Sequence, residues 1–126
     1  MRGAEVARAD LVAAGGTFDL AQVQTLMHDV SRQRVEKLVR EKQLLAVPGP
    51  GNRPRYPAVQ FNPDGSVVQG LKEVQEALDF DSPWSVLSFL VNPDQRLENE
   101  APVEVLRRGD VDRVIESARR VGVQGA

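Results

Sequence analysis

The chain has 126 residues, 41% of them hydrophobic and 27% charged, with a formal net charge of −2. That length supports one or two small domains, and that composition excludes wholesale disorder. No apolar run approaches the ~18 residues of a membrane span, and the lack of cysteine excludes disulfides and thiolate metal sites.

The first predicted element is a helix over Glu5 to Ala14, with Val6, Ala9, Leu11 and Val12 available for burial and Gly15-Gly16 ending it. Charges scattered through MRGAEVARADLVAAGG leave no cleavable apolar core, so the expected location is cytoplasmic. Asp19 is the N-cap of a second helix, with Gln22 completing a capping box and Phe18 placed to staple onto Val23. Leu20, Val23, Leu26 and Met27 form its apolar side, which breaks near His28-Asp29. Ser31 caps a third helix from Arg32 to about Lys42, with Val35, Leu38 and Val39 inward. Leu44 to Val47 and Arg55 to Gln60 read as two short strands around a Pro/Gly turn.

A helix-turn-helix followed by a basic hairpin is a winged arrangement. In such folds the second helix enters the major groove, and the wing touches phosphate or the minor groove. Arg32 and Gln33 are then the candidates for base contacts, and Arg34, Lys37 and Arg40 for phosphate or mixed contacts. Arg53 and Arg55 are the wing candidates. Two features oppose this. The turn Met27-His28-Asp29-Val30 is one residue longer than usual and lacks glycine, and Glu36 and Glu41 put carboxylates beside the proposed DNA face. The alternative is a helical hairpin and wing that only pack or dimerise.

Asn62 to Val67 is a turn and a natural joint. The next helix, about Val68 to Leu78, places Leu71, Val74 and Leu78 on one stripe. Three short helices follow: one capped by Ser82 with Pro83 at its first position, one opened by Ala101-Pro102 and stopped at Gly109, one capped by Asp110. Each is too short to be stable alone, so this segment must fold against something. Trp84, the single tryptophan, reads as a packing anchor rather than a partner contact.

The expected fold class is mainly α: a helix-turn-helix-like domain with a β wing over 1–61, a joint over 62–67, and a helical domain with a C-terminal tail over 68–126. Residues 1 to 60 carry nine basic and six acidic side chains, a net of +3, and the remainder seven and twelve, a net of −5. A mildly basic half joined to an acidic half suits two surfaces with different partners, one of them polyanionic; chance is the alternative.

Nothing in the chain suggests an enzyme. His28, the single histidine, lies in a turn without the pattern of a triad. No set of carboxylates and histidine has metal-ligand spacing, and Asp79-Phe80-Asp81-Ser82 reads as the approach to a helix cap. PGPGNRP is glycine-rich without a phosphate-loop spacing. No catalytic residue, metal or cofactor is expected.

The segments PW-x-VL-x-FL-x-NP, AP-x-E-x-L, RGD and RVI, in that order over the last half of the chain, resemble the toxin-binding domain of the Xre/MbcA/ParS antitoxin family. VSRQRVEKLVREKQLLAVP is also similar to the winged helix-turn-helix that precedes this domain in some relatives. The resemblance implies a type II antitoxin that neutralises a RES-type, NAD-consuming toxin by occluding its active site and represses its own operon, as a homodimer or a hetero-oligomer with the toxin. Carried onto this chain, it assigns the toxin-facing surface to Arg119, Arg120, Val121, Gly122, Val123, Gln124, Gly125 and Ala126. A frayed terminus is the alternative for those residues. Two other functions fit the same elements: a stand-alone winged-helix transcription regulator with a C-terminal dimerisation domain, and an adaptor of a mobile element.

Overall fold

The computed structural model describes the backbone of residues 2–124 and the side chains of residues 5–121. The first helix, α1 (Arg2–Ala13), ends at Gly15 and Gly16, both at positive φ. The Gly16 N–H reaches the Leu11 carbonyl at 2.8 Å and the Gly15 N–H that of Val12 at 3.0 Å, so the orphan carbonyls of the last turn are satisfied. Strand β1 (Thr17–Phe18) leads into α2 (Leu20–Leu26), where Asp19 and Gln22 form a reciprocal capping box, each bond 2.8 Å long. The next helix, α3 (Arg32–Arg40), is capped by Ser31, whose hydroxyl accepts the Arg34 N–H. Strands β2 (Val47–Pro48) and β3 (Pro54–Pro57) form a hairpin. Helices α4 (Leu71–Leu78), α5 (Pro83–Val91), α6 (Pro102–Arg107) and α7 (Val111–Gln124) complete the chain. Among the described residues the fold is mainly helical, and no helix is long and apolar enough to cross a membrane.

The three strands make one antiparallel sheet in the order β1-β3-β2. Thr17 pairs with Pro57 and Phe18 with Tyr56 on one side of β3, and Val47 with Arg55 and Pro48 with Pro54 on the other. The hairpin strands are shorter than expected from the sequence. Leu44 and Leu45 are buried but lie outside the ladder, and Ala58–Gln60 is a 3-10 turn. The reason is Gln60, whose side chain replaces a neighbouring strand. Its Oε1 accepts the Leu45 N–H at 2.8 Å, and its Nε2 donates to the carbonyls of Leu45 (2.9 Å) and Pro57 (3.0 Å).

Two apolar clusters form. The smaller joins Val23, Val35, Leu38, Leu44, Tyr56 and Phe61, with the Phe18 and Phe61 rings edge to face at 5.7 Å. The larger is built by α4 to α7 and also takes in Ala14 and Leu45, so the adjacent Leu44 and Leu45 enter different clusters. Helix α1 packs on α5, away from the helices that follow it in sequence. A polar contact fixes that docking: Asn92 Nδ2 donates to the buried carboxylate of Asp10 at 3.0 Å. The inward side of α1 holds Asp10 and Leu11, followed by Ala14 just past its end, whereas Val6 and Val12, expected to be available for burial, are 49% and 78% exposed. Ala9 is exposed as well.

In the C-terminal part α4 packs along α7, and Gly70 at φ +88 brings the start of α4 against Val111, where a Cβ would stand 2.5 Å from a valine methyl. Trp84 is partly buried against the larger cluster. The buried Ser117 hydroxyl of α7 donates to Asp94 at 2.6 Å, tying down the segment between α5 and α6.

Candidate nucleic-acid interface

Helices α2 and α3 pack across a turn that replaces glycine by two left-handed residues, His28 (φ 66) and Asp29 (φ 64). The Asp29 N–H reaches the Gln24 carbonyl at 2.7 Å, and the Gln24 side chain donates to the Val30 carbonyl at 3.1 Å. The extra length of this turn is thereby absorbed in a closed, hydrogen-bonded loop. It delivers α3 with Val35 and Leu38 buried. At about 100° per residue, the side opposite those two is centred on Gln33, Lys37 and Arg40. All three are exposed. Arg32 and Glu36 border this face on one side and Arg34 on the other.

The cations differ in their surroundings. Arg32 Nε lies 3.2 Å from Glu36 Oε2. Lys37, Arg40 and Arg53 have no ion pair among the described residues. Lys37 and Arg40 also occupy the last turn of α3, where the helix dipole favours positive charge. Arg34 lines a cleft of about 400 Å³ between α3 and the segment Ser66 to Glu73. The phenol of Tyr56, buried beneath this edge of α3, is pushed above its usual range by burial first and by the Glu36 charge second, with Arg32 opposing.

The hairpin tip turns through Gly51 (φ 67) and Asn52 (φ 59) and closes with the Gly49 N–H on the Arg53 carbonyl at 2.9 Å. Arg53 stands exposed next to the tip. Arg55 folds back across Gly49, where a Cβ would lie within 2.4 Å of its side chain, and donates from Nε to the Thr17 hydroxyl at 3.0 Å. It is a half-buried brace between β3 and β1 rather than a free wing cation. Sequence reasoning missed Thr17, because a two-residue strand carries no periodicity.

No family model matches the chain, and no curated protein matches it. Among solved structures it is similar to the NMR structure of Rv2175c, with 24% identity and a TM-score of 0.69. The likeness covers 84% of this chain and 80% of that one, more than either half could supply. At this identity the likeness shows the fold alone.

The residues assigned to a toxin partner sit elsewhere. Arg119 and Arg120 are exposed on α7 and both approach Glu116, at 3.7 and 3.3 Å. Val121 is partly buried against the larger cluster. Gly122, Val123 and Gln124 continue the helix, so the assigned surface is helical from Arg119 to Gln124. Gly125 and Ala126 lie outside the described residues. No group of three or more His, Asp or Glu side chains able to hold a metal occurs among the described residues.

Proposed function

We propose that this protein binds duplex DNA as a winged helix-turn-helix transcription regulator, with α3 as the groove-entering helix and the β2-β3 hairpin as the wing. The observation that carries the reading is the outward face of α3. Gln33, Lys37 and Arg40 share it, neither cation has an ion pair among the described residues, and Arg53 is exposed near the hairpin tip. An amide and unneutralised cations on one rigid helix can meet base edges and phosphates together. The remaining helices would orient this surface and carry dimerisation, which doubles the phosphate contacts of a half that is only mildly basic.

The test is binding to duplex DNA by fluorescence anisotropy across a salt series. Lys37→Ala and Arg40→Ala should each weaken binding on all sequences and reduce the salt slope by about 1. Both positions are exposed, so each substitution should cost no more stability than the helix-dipole contribution of its charge, about 0.3–1 kcal/mol. Undiminished affinity in the double variant would refute the reading.

A second reading, the antitoxin, draws on the exposed Arg119 and Arg120 on the last helix. A RES-type toxin would be neutralised there by occlusion, and DNA binding would serve autoregulation of the operon. Co-expression with the product of the neighbouring gene, followed by growth and NAD level, tests it. A harmless neighbour sinks the antitoxin and leaves the regulator standing.

A further inference from the structure

Arg32 is the first residue of α3, directly after the Ser31 cap, and its placement is unfavourable for the helix itself. A cation at a helix N-terminus opposes the dipole, and an arginine four residues before a glutamate is the weaker order for an ion pair. With the side chains 68% and 50% exposed, the pair also gains little from burial. Helix stability therefore does not explain it.

The geometry of the contact does suggest a use. Glu36 takes Arg32 through Nε, at 3.2 Å, and neither Nη group has a partner among the described residues. One bond at Nε holds the guanidinium plane and leaves the two terminal nitrogens as a fork. That fork matches guanine O6 and N7 in the major groove. The Glu36 carboxylate, for its part, repels phosphate, so it weakens binding wherever Arg32 finds no guanine.

Resting on the DNA-binding reading above, we infer that Arg32 reads a guanine and that Glu36 is its positioning residue, making recognition selective at one G·C pair.

The experiment selects preferred duplexes from a pool with a randomised core using the full chain. Affinities for every single base-pair change are then measured for the wild type and for Arg32→Lys, Glu36→Ala and Glu36→Gln. Arg32→Lys keeps the charge and the salt slope but should lose about 5- to 150-fold discrimination at one G·C pair. Glu36→Ala should lose the same preference while binding unrelated duplexes more tightly. Glu36→Gln, which retains an acceptor, should restore the preference. A uniform loss across all sequences in Arg32→Lys, or an unchanged preference in Glu36→Ala, overturns the inference and leaves DNA binding intact. Failure of the wild type to enrich any duplex overturns both.

Discussion

The guanidinium of Arg107 donates from Nη2 to the backbone carbonyl of Val59 at 2.7 Å, across 48 residues of sequence. Its Nη1 reaches the Phe61 carbonyl at 3.3 Å and Asn62 Oδ1 at 3.4 Å, while Glu104 balances its charge from one turn earlier on α6. One side chain thus satisfies the carbonyls of the segment that leads from the sheet into the C-terminal helices. Gln75 of α4 adds a second tie, donating to the Lys42 carbonyl at 2.9 Å just beyond α3. These two side chains tie the segments that follow α3 and the sheet to the C-terminal helices.

Replacing Arg107 by Ala should cost about 1.5–3 kcal/mol, the range for hydrogen bonds to a charged group whose acceptors are left unpaired. Arg107→Lys should recover only part of this, because an ammonium cannot span three acceptors with a planar fork. Urea denaturation measures both. Equal stability of the Ala variant and the wild type would show that water replaces the guanidinium without penalty.

Gln60 is fully buried and both polar atoms of its amide are hydrogen-bonded, which makes its substitution informative. Gln60→Leu leaves the Leu45 N–H and two carbonyls unpaired in an apolar setting, an expected loss of about 2–4 kcal/mol. Gln60→Glu keeps the acceptor for Leu45 N–H but sets a carboxylate against two carbonyls. It should therefore be at least as damaging, and should recover in part on acidification. A Leu variant as stable as the wild type would mean the amide is dispensable to the sheet.

The features legible in the sequence were those with local causes. Asp19 and Gln22, Ser31, and Ser82 with Pro83 cap helices because their partners lie within four residues. The inward residues of α3, Val35 and Leu38, followed from periodicity for the same reason. What escaped depends on distant partners. Gln60 looked like the end of a strand until its amide was seen on Leu45, 15 residues away. Val12 was available for burial on periodicity, yet it is exposed, and the buried side of its helix includes Asp10, bonded to Asn92 82 residues on. Of the interface candidates, Lys37, Arg40 and Arg53 are exposed and have no ion pair among the described residues, whereas Arg55 is bonded to Thr17, 38 residues before it. Side chains whose partner comes from elsewhere in the fold carry no signature in their own neighbourhood.

Acid should weaken the fold through Glu100 and Asp64. The Arg108 guanidinium grips Glu100 with two bonds and, chiefly through that hydrogen bonding, holds it below the usual carboxylate range. The Ser66 hydroxyl and N–H do the same for Asp64. Each group binds a proton less readily folded than unfolded. Its stabilisation is complete above the ordinary carboxylate pKa and is lost as pH falls through the lowered value. Melting temperatures measured from about pH 6 down to about pH 3 should fall less steeply in a Glu100→Gln, Asp64→Asn double variant. Parallel curves would exclude both groups from the acid response.

His28 occupies a position made for glycine. At φ 66 it ends α2 as a left-handed residue, and its N–H satisfies the Thr25 carbonyl at 3.1 Å. A side chain in this region strains against the adjacent carbonyl by about 1–2 kcal/mol, while glycine adopts it freely but loses more entropy on folding. The balance favours His28→Gly by about 0.5–1 kcal/mol, read as a higher denaturation midpoint. Gly65 supplies the converse. At φ +88 its Cα faces the Leu26 carbonyl so closely that a Cβ would stand 2.0 Å from the oxygen, and that atom is backbone. Gly65→Ala must therefore displace either the end of α2 or the turn beyond Asn62, and it should destabilise the chain by more than the glycine at position 28 stabilises it. If His28→Gly lowers stability instead, the imidazole makes a contribution to the turn that outweighs its backbone strain.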